Sequence, residues 1–207
     1  MKFAALAAVV LLLAACAPVD TDAAYAEALK KFANQIDQNS RDVARANRIM
    51  RKLASAAAED YPETMKWNWE LHVFRAPADV AAYTFPHGKI ILSSGLFFWG
   101  KFNDDEMAFV IGHEVSHSLL GHHQIILETY GNRAMYPTAH VYAENTKLEL
   151  QADRLAMVLS IRASYDARAA ISVLQKAKDI WSDKPPAGLT ATWDERIQQA
   201  RGLLAAN

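Results

Sequence analysis

His113-Glu114-Val115-Ser116-His117 lies inside a proline-free run, Asp105 to His122, whose spacing predicts a helix. Residues i and i+4 of a helix lie on one face. His113 and His117 can therefore aim both imidazoles at one metal ion. Glu114 sits one step round, close enough to hold a water at the metal without being a ligand. That is the geometry a zinc hydrolase needs. Phe109, Val110, Ile111, Val115, Leu119 and Leu120 make the helix strongly apolar. A buried helix is a costly place for a glutamate and two histidines unless something satisfies them. A surface helix that happens to carry two histidines fits that apolar setting less well.

Such a site needs a third protein ligand, with the fourth position left for water. Two candidates compete. His123 falls ten residues after His113, but a turn-back there needs glycine three residues after the second histidine. Leu120 stands in that place and Gly121 comes one residue late. Glu149 lies in Leu148-Glu149-Leu150-Gln151-Ala152-Asp153-Arg154. Glu149 and Asp153 are again i and i+4, so one can bind metal while the other accepts the ring N–H of a ligating histidine. An ordinary solvated helix face, with Lys147 and Arg154 as neighbours, is the alternative for this pair.

His113-Glu114-Val115-Ser116-His117 followed by Glu149-Leu150-Gln151-Ala152-Asp153 resembles the gluzincin metallopeptidases of the HtpX and CAAX prenyl endopeptidase family. Pro86-His87-Gly88-Lys89-Ile90, Ser94-Gly95-Leu96, Asp105-Glu106-Met107-Ala108 and Tyr165-Asp166-Ala167-Arg168 are also similar to that family. The resemblance covers roughly Asp79 to Arg201. It implies zinc held by His113, His117 and Glu149, Glu114 as general base, and Asp153 orienting a ligand histidine. It also implies a role for Arg196, either at the oxyanion or steadying Glu149. A histidine that relatives often carry shortly before that arginine is absent from Leu189 to Glu195. Relatives bind extended peptide on an edge strand. The expected counterpart is Lys89-Ile90-Ile91-Leu92-Ser93, because an open strand edge offers unpaired N–H and C=O groups.

The remainder of the chain sets the context. Its 207 residues, 52% of them hydrophobic, suffice for one domain with a sizeable core. Lysines and arginines number 22 against 23 acidic residues, and no basic run points to nucleic acid. Met1 to Ala15 has a charged Lys2 and an apolar run too short to span a bilayer. Leu13-Ala14-Ala15-Cys16 resembles a bacterial lipobox. The expectation is a signal peptide over 1–15, a lipidated Cys16 and a tether over 16–23. Ala17 after the cysteine favours the outer membrane, facing the periplasm. Cys16 is the only cysteine, so no disulfide can form within the chain.

Residues 24–207 are expected to form a single metallopeptidase domain. Ala24 to about Ala58 reads as one long helix with an apolar stripe from Leu29 to Leu53. Trp67 to Val73, Val80 to Phe85 and Lys89 to Ser93 read as strands. Asn103 is the expected cap of the metal helix, with Glu106 as its capping-box partner. His122 reads as a helix-end structural residue, and His72 and His87 as surface and turn residues. Helices are expected from about Ala139 to Ala163, from Asp166 to about Trp181, and from about Trp193 to Leu204.

The fold expected is therefore α+β, mainly helical and zincin-like, with a small three-strand sheet. The expected function is a zinc endopeptidase, one Zn2+ per chain, acting on periplasmic or membrane-associated proteins in envelope protein quality control. Its partners are a protein or peptide substrate and the membrane, reached through Cys16. The competing class is a non-catalytic, chaperone-like or binding lipoprotein on the same fold. An intact Glu114 argues against it.

Overall fold

A computed structural model describes residues 21–37, 40–125, 139–180 and 193–206. Within them the chain runs α1 (Thr21–Phe32), β1 (Ile36–Asp37), α2 (Arg41–Ala57), β2 (Glu70–Phe74), β3 (Ala82–Phe85), β4 (Lys89–Ser93), α3 (Ser94–Gly100), α4 (Asp104–Leu119), α5 (Ala139–Arg162), α6 (Ala169–Ile180) and α7 (Trp193–Ala205). The α+β class is as expected. The signal-peptide segment and Cys16 lie outside the described residues, and the last residues of the expected tether, from Thr21, are helical.

Helix α4 starts where its sequence says it should. The Asn103 side chain accepts from the Glu106 N–H, and the Glu106 carboxylate accepts from the Asn103 N–H, both at 2.9 Å. That reciprocal pair satisfies two of the donors a helix start leaves open. Ser172 and Lys176 of α6 also donate to the Glu106 carboxylate, at 2.6 and 2.9 Å. The start of α4 is thus tied to a second helix. At the far end, Gly121 takes φ +64°, the left-handed conformation that ends a helix cheaply only for glycine or asparagine.

Met107, Phe109, Ile111 and Val115 of α4 are buried in a core with Ile49 and Leu53 of α2, Leu159 of α5, Leu174 of α6 and Ile197 of α7. Each such side chain contributes roughly 1.5–3 kcal/mol on burial. Helix α4 is therefore a rigid platform with other elements packed around it.

The sheet order is β1-β2-β4-β3, with β2 and β4 parallel and the outer pairs antiparallel. Side chains alternate between the faces of a strand. Ile90 and Leu92 enter the main core, whereas Ile91 joins Tyr25, Ala28 and Phe74 in a smaller cluster under α1.

Three expectations need correction. The helix expected over Ala24–Ala58 is two helices. Ile36 and Asp37 pair with Phe74 and Val73 as an additional strand, and Ser40 caps α2 by accepting from the Val43 N–H at 3.2 Å. The sheet accordingly has four strands, not three. Lys89 to Ser93 is not an edge. Strand β4 is flanked by β2 and β3, so both of its hydrogen-bonding sides are engaged and Ile90, Ile91 and Leu92 are buried on both faces. It cannot accept another strand. The outer strand next to α4 is β3.

Candidate metal centre

Helix α4 presents His113 and His117 on one face, with Nε2 atoms 3.0 Å apart. Helix α5 packs alongside and brings up Glu149. Its Oε2 lies 3.3 Å from His113 Nε2 and its Oε1 3.5 Å from His117 Nε2. One donor atom from each of the three lies within 4.8 Å of the others, close enough to share one metal ion. For zinc bonds of 2.0–2.1 Å, the edge of a tetrahedron is about 3.3 Å. The imidazole nitrogens, 3.0 Å apart, and the Glu149 oxygen nearest each of them, at 3.3 and 3.5 Å, lie close to that value. Two imidazoles and one carboxylate are also the donor types zinc favours. The residues present therefore fit a zinc ion.

The electrostatics agree with the geometry. Burial disfavours a charged His113, yet the Glu149 and Asp153 carboxylates outweigh it and lift the imidazole to about 10. Burial likewise opposes the Glu149 charge, but His113 and Arg196 hold its carboxyl well below the usual range. Carboxylates arranged this way hold positive charge between them.

Behind each histidine stands a partner that fixes its ring. His113 Nδ1 donates to Asp153 Oδ1 at 2.9 Å, which leaves Nε2 facing the site. Asp153 is 1% exposed and is gripped by Arg196, through Nε to Oδ2 at 2.6 Å and Nη2 to Oδ1 at 2.7 Å. Arg196 Nη1 also reaches Glu149 Oε2 at 3.1 Å. The guanidinium is thus committed to two carboxylates. Of the two roles the sequence left open for Arg196, these contacts match the one that steadies Glu149, and they extend it to Asp153.

His117 Nδ1 lies 2.9 Å from Nδ1 of the buried His122, and His122 Nε2 lies 3.1 Å from Gln151 Oε1. With His117 Nε2 turned to the metal position, its Nδ1–H donates to His122, and His122 Nε2–H donates to Gln151. Burial and the neighbouring His117 push His122 down to about 4, so it is neutral and can accept. His123 is not part of the cluster. It lies past the end of α4 and lines a cavity together with Pro86 and Trp67.

Glu114 is held from the sheet. Thr84 Oγ1 on β3 donates to the Glu114 carboxylate and lies 3.2 Å from its carbonyl oxygen. Sequence reasoning missed this contact because nothing local marks Thr84. It also gave His122 only a helix-end role, although its position five residues after His117 was a signal. Gln151, two residues after Glu149, was missed altogether.

Comparison with known proteins adds the decisive observation. Peptidase family M48 matches residues 40–146, just over half of the chain. The chain belongs to peptidase family M48. The M48 match includes His113, Glu114 and His117 and ends just before Glu149, so the third corner rests on the geometry above. Mitochondrial metalloendopeptidase OMA1 of Arabidopsis thaliana is 30% identical over 133 residues, covering 56% of this chain and 27% of the relative. Mitochondrial metalloendopeptidases OMA1 of Bos taurus and Homo sapiens are each 32% identical over 65 residues, covering 31% of this chain and 12% of the relative. This M48 chain therefore spans under a third of the length of these curated relatives.

Proposed function

We propose that the protein is a zinc-dependent endopeptidase, with His113, His117 and Glu149 as the metal ligands and Glu114 as the general base. The observation that carries this reading is the donor triangle of His113, His117 and Glu149 beside a carboxylate that does not ligate. Three protein ligands with a neighbouring base is the open, catalytic arrangement and not the closed structural one. Zinc, when bound, polarises the scissile carbonyl and makes the attacking water more acidic.

The chain's own residues do the rest. The Glu114 carboxylate takes the proton of the attacking water and returns it to the leaving amine. Thr84 fixes that carboxylate. Asp153 and Arg196 hold His113 and Glu149, and His122 holds His117. Substrate lies along β3. The Ser93 N–H donates to the Ala81 carbonyl at 2.9 Å, so the antiparallel alternation turns the backbone groups of Ala82 and Thr84 to the outer edge. An extended peptide can pair there. Thr84 would then touch both substrate backbone and base.

The HtpX and CAAX prenyl endopeptidase branch is the part of the family whose motifs the chain resembles. The lipobox-like Leu13-Ala14-Ala15-Cys16 supports a lipid anchor in a bacterial envelope, with periplasmic or membrane-associated proteins as substrates and quality control as the role. The test is a peptide-library digest with the purified zinc-loaded chain. Cleavage should stop with chelator, return with zinc, and fall by on the order of 10²–10⁴-fold in Glu114→Gln. A zinc-loaded wild type that cleaves nothing overturns the reading.

A further inference from the structure

Beside the metal centre lies a cavity of about 260 Å³. Trp67, Phe85 and Pro86 line it from the sheet side, and His117, Ser118 and His123 from the side of α4. Small-molecule sites usually measure roughly 300–1,000 Å³, so this space suits one bulky side chain and not a whole ligand. Thr84 is also in its wall. The cavity is therefore bounded by a proposed metal ligand and by the residue that holds the proposed base. A side chain entering it belongs to a residue next to the scissile bond.

The lining carries no Asp, Glu, Lys or Arg among the described residues. Burial pushes the His123 imidazole down, which favours its neutral form. A charged side chain placed here would shed water without meeting a charged Asp, Glu, Lys or Arg in the described lining, whereas an apolar one loses nothing. The neighbouring cavity differs. It measures about 540 Å³ and is lined by Lys66, Glu70 and Lys89. Trp67 and His87, edge to face at 5.6 Å between ring centroids, line both spaces. The charge step across this pair gives the two spaces different ligand preferences.

We propose that the cavity between Trp67, Phe85, Pro86 and His123 is a specificity pocket that accepts one bulky, uncharged apolar side chain of the substrate, adjacent to the scissile bond. This rests on the endopeptidase reading for its meaning in catalysis, but its recognition chemistry can be measured without turnover.

The test uses the full chain carrying Glu114→Gln, loaded with zinc, and blocked polyalanine hexapeptides that differ at one position. Peptides with Phe or Leu there should bind at least about tenfold more tightly than those with Lys or Asp. Two further variants in the same background place a carboxylate in the pocket. Gln124→Glu changes an exposed side chain, and His87→Asp occupies a φ of 59° that aspartate tolerates. Both should shift preference to the Lys peptide. Equal affinity for all the peptides, a preference for a charged one in the parent protein, or an unaltered preference in both carboxylate variants overturns the pocket. Wild-type cleavage is scored separately. Selective binding without any cleavage would sink the endopeptidase reading and leave the pocket standing.

Discussion

The hydroxyl of Thr84, on strand β3, donates to the carboxylate of Glu114, on helix α4. Thirty residues separate the two in sequence. The bond joins the strand proposed to take substrate to the group proposed to move the proton. Thr84→Val removes the donor at nearly constant volume. Turnover should fall on the order of 10–100-fold as the carboxylate loses its orientation, while zinc content and KM stay close to wild type. Thr84→Ser should restore most of the rate. A valine variant with unchanged kcat would show that the bond does not position the base.

The third ligand is tested by metal analysis. Wild type should hold about one zinc per chain. His117→Ala and Glu149→Ala should each lose most of it, whereas His123→Ala should retain it. Zinc that survives Glu149→Ala but not His123→Ala would displace the arrangement described above.

Arg196 supports the centre from behind, and its removal should read out in two ways. Arg196→Met leaves the buried Asp153 without its bidentate partner. Breaking one side of such a pair costs about 3–5 kcal/mol, visible as a lower melting temperature. Zinc affinity should fall about 10–100-fold, as for loss of other groups that hold ligands. An affinity unchanged from wild type would mean that Asp153 and Glu149 keep their places unaided.

Glu106 makes stability depend on pH. Burial opposes its charge, but Lys176, Ser172 and the Asn103 N–H together hold the carboxyl below its usual value. A carboxyl with a depressed folded value stabilises the fold fully above the unfolded value of about 4.3. It loses that contribution as pH falls through the lower folded value. Thermal melts of wild type should therefore drop on acidification below about pH 4.3. Glu106→Gln should be less stable near neutrality and show a shallower fall. Parallel melting curves for the two proteins would exclude Glu106 as a source of the dependence.

The proposed attachment to the membrane rests on Cys16. Metabolic labelling with palmitate should mark the wild type and not Cys16→Ser, which should remain as an unprocessed precursor. Equal labelling of both would rule out this cysteine as the anchor.

Most of the centre was legible because its parts repeat at helical spacing. His113 and His117, and Glu149 and Asp153, are i and i+4 pairs, and the apolar residues around them mark buried helices. The α4 start was legible for the same reason, since Asn103 and Glu106 form a local motif. What escaped was non-local. Thr84 meets Glu114 only because β3 lies against α4. The break in the first long helix was visible in principle: the apolar stripe is interrupted between Ile36 and Val43, where Asp, Asn and Ser are residue types that favour turns and caps. Ile90-Ile91-Leu92 also held a clue. An uninterrupted apolar run marks a strand covered on both faces, which argues for the interior of the sheet and against its edge.

The grip of Arg196 on Asp153 and Glu149 has a consequence for the order of events during synthesis. The two histidines emerge from the ribosome well before the arginine, which comes only with α7. Until α7 docks, Asp153 lacks its bidentate partner and Glu149 lacks one of its holders. A nascent chain can thus carry the whole HExxH motif while its centre is still loose. The proposed hydrolysis therefore waits on the docking of α7, and a partly folded chain is poorly equipped to cut itself or its neighbours.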